Sequence, residues 1–138
     1  MQKDHQDHLQ PVPFFIAGVM LLVALANMEY GYYQFLRLMI FAVSAYVIYA
    51  TRSSMKIDFW MAISSAILFN PVAPIVLSKE SWHLIDTFFA TYFISGGIAI
   101  YVPKMSRLVW FLLVGCLIFL VLSILANTVG FYVDAGNG

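Results

Sequence analysis

The chain has 138 residues, of which 62% are hydrophobic and only 10% are charged, and its seven Lys and Arg residues balance seven Asp and Glu. A water-soluble domain of this size needs more polar surface than these residues supply. The composition therefore excludes an ordinary soluble domain, and the balanced charge gives no reason to expect a nucleic-acid-binding surface. We expect an all-α fold, a polytopic transmembrane helical bundle in the lipid bilayer with five spans, four being the alternative.

The first 11 residues form a polar head. It contains two aspartates and two histidines: Asp4, His5, Asp7 and His8. These side chains could bind a metal weakly, but a solvated terminus is the expectation. The first apolar segment follows at residues 12–28 and contains Ala24-Leu25-Ala26, which resembles a signal-peptidase site up to Ala26. Because the region in front of it is not basic, we expect a retained membrane helix.

The second apolar segment, residues 32–50, contains Arg37. The third, residues 57–77, is broken at residues 70–74 by the sequence Asn70-Pro71-Val72-Ala73-Pro74. Each proline lacks a backbone donor, so the helix should end at Asn70 and continue as a packed loop that returns to the membrane interface.

The fourth segment, residues 82–102, contains Asp86, and the fifth, residues 108–130, is free of charge. A short polar tail, residues 134–138, ends the transmembrane domain of residues 12–133. We interpret the single cysteine, Cys116, as a small buried hydrophobic side chain. Small residues at helical spacing should let helices approach closely, within the chain or at an oligomer contact. They are Ala62, Ala66, Ser95, Gly96, Gly97 and Ala99.

The positive charges in the short loops predict the orientation. Two Lys or Arg residues lie in the loop at residues 51–56, and two more lie in the loop at residues 103–107. Cytoplasmic loops are enriched in these residues. With five spans, the N-terminus is expected in the cytoplasm and the C-terminus outside.

Arg37 and Asp86 each interrupt an apolar segment, where an unpaired charge costs at least a few kcal/mol. Both lie toward the predicted outer face, so we expect an ion pair between the second and fourth helices. Helical spacing places other polar groups beside them. The candidate polar cluster, with a structural or a ligand-binding role, consists of Tyr33, Arg37, Asn70, His83 and Asp86. The sequence indicates no catalytic, metal-binding or cofactor-binding residues.

Two stretches resemble an uncharacterised family of small bacterial membrane proteins. The first is Tyr30-Gly31-Tyr32-Tyr33, followed by Leu36-Arg37. The second is Phe69-Asn70-Pro71, followed by Trp82 and by Ile85-Asp86. The resemblance covers roughly residues 12–102, and the fifth segment departs from it because the family ends after its fourth helix. It implies a multi-pass protein of the bacterial inner membrane, and it implies no activity because the family has none assigned.

Two functions are compatible with these features. The first is a non-enzymatic accessory, assembly or interaction subunit that packs against itself or against another membrane protein. The alternative is an oligomeric small transporter or channel with its polar site near the outer face. A bundle this small encloses little aqueous volume, so permeation would require several copies.

Overall fold

A computed structural model describes residues 9–26, 28–52 and 57–135 of the chain, with side chains as far as residue 129. Its five helices are α1 (Pro11–Ala24), α2 (Tyr30–Thr51), α3 (Ile57–Leu68), α4 (Lys79–Tyr101) and α5 (Arg107–Ala135). The predicted all-α fold is therefore confirmed, with one helix in each apolar segment. The possible metal ligands of the polar head and four residues of the first basic loop, 53–56, lie outside the described residues.

Within the residues that the structure describes, three helices are long and apolar enough to cross a membrane, namely α2, α4 and the Arg107–Val129 part of α5. The other two are apolar but shorter, with 14 residues in α1 and 12 in α3. At 1.5 Å per residue these two extend over roughly 20 Å, less than the hydrocarbon thickness of about 30 Å. Length and composition thus support three complete spans.

The connection from α3 to α4 differs from the prediction. The helix ends at Leu68, and the Asn70 side chain then accepts a hydrogen bond from the Val72 amide at 2.9 Å. Such a side-chain turn competes with helix continuation. The loop beyond it is exposed, with Val72 89% and Val76 93% accessible, so the predicted packed loop is wrong. The two prolines keep this segment out of the helical core.

Gly96 and Gly97 of α4 face α1, the helix with which α4 makes its most extensive contact. A Cβ atom at Gly96 would lie 3.0 Å from the Phe14 ring. Across the same contact, a Cβ atom at Gly18 would lie 2.5 Å from Cγ1 of Ile94, which is closer than carbon atoms approach. These glycines therefore serve close helix packing inside the chain.

Polar side chains connect α2 to α3 and α3 to α5. Ser44 and Ser65 share a buried hydrogen bond of 2.8 Å between their hydroxyl groups. Asp58, in the first turn of α3, forms an ion pair with Arg107, the first residue of α5, and accepts a hydrogen bond from the Tyr92 hydroxyl at 3.2 Å. The two loops that carry the basic residues precede these helix starts. The starts of α3 and α5 therefore lie at the same end of the bundle.

α5 packs chiefly against α4 and leaves most of its apolar surface exposed. Val114 and Ile118 are buried in this contact. Cys116 lies on the exposed side, so its interpretation as a buried side chain is wrong. A single helix–helix contact covers only one stripe of a helix. The remaining apolar surface is suited to lipid.

Candidate ligand-binding site

A pocket of about 400 Å³ opens at the end of the bundle opposite the Asp58–Arg107 ion pair. It lies where α1 ends, α2 begins, α3 ends and α4 begins. Its apolar lining consists of Ala24, Met28, Leu36, Phe69, Leu77 and Trp82, and its polar lining of Tyr30, Tyr33, Arg37, Lys79, His83 and Asp86. Pockets that bind small molecules have this range of volume and this mixture of apolar walls and few polar groups.

Two tyrosines at the start of α2 join this helix to the end of α1. The Tyr33 hydroxyl donates a hydrogen bond of 2.8 Å to the carbonyl of Ala24, the last residue of α1. The Tyr32 hydroxyl donates one of 2.6 Å to the Met20 carbonyl. The last carbonyls of a helix lack partners within the helix. Tyr33 thus has a structural role, and its only hydroxyl proton is already used.

Arg37 lies against an aromatic ring rather than against the predicted carboxylate. Its guanidinium carbon is 5.1 Å from the centre of the Trp82 ring, a distance typical of a cation–π contact. Arg37 and Asp86 line the same pocket and interact electrostatically, but they form no direct ion pair. The predicted ion pair is therefore wrong, because the planar guanidinium stacks on the indole of α4.

Asp86 is the buried acidic group of the pocket. Its side chain is on α4, the residue is only 4% exposed, and its Oδ1 atom has no hydrogen-bond partner. A buried polar atom without a partner costs about 1–3 kcal/mol, and more when it is charged. The nearby Thr87 hydroxyl donates to the His83 carbonyl at 2.7 Å and is not available to Asp86. Asp86 is thus a buried acceptor that the described residues leave without a donor.

The structure brings together four of the five residues predicted as a polar cluster. Tyr33, Arg37, His83 and Asp86 all line the pocket. Asn70 does not, since its side chain turns the chain after α3, whereas its neighbour Phe69 is buried in the pocket wall.

Sequence reasoning missed Lys79, which also lines the pocket. A signal for it was present, because Lys79, Trp82, His83 and Asp86 follow one another at intervals of three, one and three residues. These intervals place all four on one face of a helix. The start of α4 therefore presents three polar side chains and the Trp82 ring to the pocket.

The arrangement is suited to binding. Among the side chains that the structure describes, no group of three His, Cys, Asp or Glu residues is placed to hold a metal ion. No two titratable side chains of the pocket are hydrogen-bonded to each other within this part of the chain. The pocket offers cationic groups and one buried acceptor to a ligand.

The model of a family of unknown function (DUF6804) matches residues 10–98. The matched part holds α1, α2, α3 and most of α4, and therefore every residue that lines the pocket. α5 lies outside it, as the sequence resemblance predicted. No curated protein and no solved structure matches the chain.

Proposed function

The chain belongs to the DUF6804 family, whose function is unknown, and from that premise we propose that it is a membrane protein that binds a small ligand without catalysing a reaction. The site is the pocket between the end of α1 and the start of α4. In our proposal the protein lies in the inner membrane of a bacterium, with the N-terminus in the cytoplasm and the pocket at the outer face.

The buried carboxyl group of Asp86 carries this proposal. A protein that needed this site only for stability would gain by replacing an unpartnered carboxyl with an apolar side chain. Ionisable groups inside membrane helices are functional-site candidates for this reason. Here the group lies in a pocket of about 400 Å³ beside Arg37 and Lys79, which are charged donors.

A binding site of this kind favours the transporter or channel hypothesis over a purely structural role. One protomer encloses a pocket near one end of the bundle. Passage across the bilayer would require several copies, so we expect a homo-oligomer if the ligand is transported.

A second candidate function is that of an accessory or assembly subunit, and the exposed apolar surface of α5 favours it. That surface includes Leu113, Leu117 and Leu120, which are 52%, 63% and 58% exposed. Lipid or a helix of another membrane protein could cover it. Cross-linking in native membranes separates the two functions, because a homo-oligomer supports transport and a stable foreign partner supports an accessory role.

The test of ligand binding compares two neighbouring loop residues. Leu77 lines the pocket and is 40% exposed, so Leu77→Trp should fill the pocket without disturbing the core. Val76 is 93% exposed and does not line the pocket, so Val76→Trp is the matched control. Native mass spectrometry of protein extracted from its own membranes should detect a bound small molecule in the wild type and in Val76→Trp, but not in Leu77→Trp. A ligand-free wild type, or equal occupancy in all three, would contradict the proposal.

A further inference from the structure

The charged groups of the pocket differ in sign and in depth. Asp86 is 4% exposed, whereas Arg37 is half-buried and Lys79, at the first position of α4, is exposed. All three line the same space. The pocket therefore has a negative group at its base and two positive groups nearer its rim.

The base of the pocket requires a hydrogen-bond donor. Oδ1 of Asp86 has no partner, and the Tyr33 hydroxyl donates its proton to the Ala24 carbonyl instead. The Arg37 guanidinium makes no ion pair with the carboxyl and stacks on Trp82. A ligand with an ammonium group would supply several donors and a compensating charge.

The rim favours an acceptor. Arg37 makes no hydrogen bond or ion pair with any residue in the described part of the chain, so its donors remain available. Lys79 is exposed, lines the same pocket and adds a second positive charge. Two cationic side chains that line one pocket favour a carboxylate or a phosphate group. A simple anion would leave Asp86 without a donor, and a simple cation would be repelled at the rim.

We infer that the pocket binds a zwitterion whose primary ammonium group contacts Asp86 and whose anionic group contacts Arg37 and Lys79. The apolar walls formed by Leu36, Phe69 and Leu77 then pack against the carbon atoms of the ligand. Free α-amino acids and the ethanolamine phosphate headgroup of phosphatidylethanolamine share this chemistry. The inference rests on the proposed binding function and adds the class of ligand.

Binding is measured by microscale thermophoresis with purified full-length protein in detergent and in nanodiscs. The soluble probes are a panel of L-α-amino acids and their N-acetyl derivatives, and the lipid probes are phosphatidylethanolamine and phosphatidylcholine of equal chain length. Acetylation removes the positive charge, and the quaternary ammonium of choline has no N–H donor. We expect at least tenfold weaker binding of the derivative that lacks the primary ammonium. If the free amino acids bind more tightly than their N-acetyl derivatives, the ligand is a free metabolite. If phosphatidylethanolamine binds more tightly than phosphatidylcholine, the ligand is a lipid headgroup.

Two variants test which residue contacts each end of the ligand. Asp86→Asn keeps the shape of the side chain and should abolish the preference for the primary ammonium, while Arg37→Gln should weaken every anionic probe at least tenfold. Thermal unfolding of each variant checks the fold. Equal affinity for a probe with a primary ammonium and its counterpart without one would contradict the inference that the ligand is a zwitterion. An unchanged preference for the primary ammonium in Asp86→Asn would also contradict it, and either result would leave the proposed ligand binding intact. Absence of any binding, together with a ligand-free wild type in native mass spectrometry, would contradict the proposed function itself and overturn the inference with it.

Discussion

Arg107 and Asp58 are 49 positions apart in the sequence and form an ion pair across the bundle, between the first residue of α5 and the first turn of α3. Asp58 is buried and also accepts the hydrogen bond of the Tyr92 hydroxyl. The pair places the starts of these two helices at one end of the molecule. The pocket opens at the other end.

This arrangement gives a topology prediction. In a Cys116→Ala background, Ser53→Cys and Ser106→Cys should resist an impermeant thiol reagent in intact cells, because basic loops face the cytoplasm. Val72→Cys is the matched control, since Val72 lies in the loop at the pocket end and is 89% exposed. It should be labelled from outside. Labelling at positions 53 and 106, together with protection of position 72, would show that the protein has the opposite orientation.

The ion pair itself should contribute to stability. Asp58→Asn and Arg107→Gln should each lower the free energy of unfolding, by up to about 3 kcal/mol for a buried pair that loses one partner. The double variant should lose less than the sum of the two single losses. Lys104→Gln, an exposed residue in the adjacent loop, is the control and should leave the unfolding temperature in detergent unchanged. Additive losses would show that the two charges do not interact.

The hydrogen bond between Ser44 and Ser65 predicts that replacing one serine costs more stability than replacing the other. Ser44 donates to the Ile40 carbonyl at 2.8 Å, so the Ser65 hydroxyl is the donor in the bond between the two serines. Ser44→Ala would leave the Ser65 hydroxyl buried without this acceptor and should cost about 1–2 kcal/mol, more than Ser65→Ala. Ser64 lies on the exposed side of α3, the helix that carries Ser65, so Ser64→Ala is the control. Equal unfolding temperatures of the three variants would contradict the assigned donor.

Because α1 packs closely on α4, we expect substitution of Gly18 to destabilise the protein and substitution of Gly31 to leave it stable. Gly18→Ala places a methyl group 2.5 Å from Ile94 and should lower the free energy of unfolding by about 1–3 kcal/mol. Gly31→Ala meets no atom within 4 Å and should leave stability unchanged or slightly raised, since alanine has the better helix propensity. Thermal unfolding in one detergent compares them. An unchanged unfolding temperature of Gly18→Ala would mean that α1 and α4 can move apart at little cost in free energy.

Asp86 should be dispensable for folding. Because its Oδ1 atom is buried without a partner, Asp86→Leu should raise the unfolding temperature in detergent by a few degrees while ligand binding is lost. Asp58→Leu is the control, because that carboxyl is paired and its loss should lower the unfolding temperature. A destabilised Asp86→Leu variant would assign Asp86 a structural role, as the ion pair expected from the sequence implied.

The sequence by itself determined the helices and the membrane character. Hydropathy is a local property of the chain, so five apolar segments predicted five helices, and prolines and Asn70 marked the end of α3 within two residues. Spacing within a helix also grouped Tyr33 with Arg37 and His83 with Asp86. These groupings needed no knowledge of neighbouring helices.

The tertiary structure decided which groups meet between helices. The rotation of α4 against α2 places Trp82, rather than Asp86, under Arg37, and no periodicity in either segment fixes that rotation. Likewise, only the packed bundle shows that Cys116 faces outward and that Asp58 meets Arg107. The physical reason is that the direction of a side chain between two helices depends on their crossing geometry, which many small packing contacts determine together. The pocket, which α1, α2, α4 and the segment between α3 and α4 form jointly, is the result of that geometry.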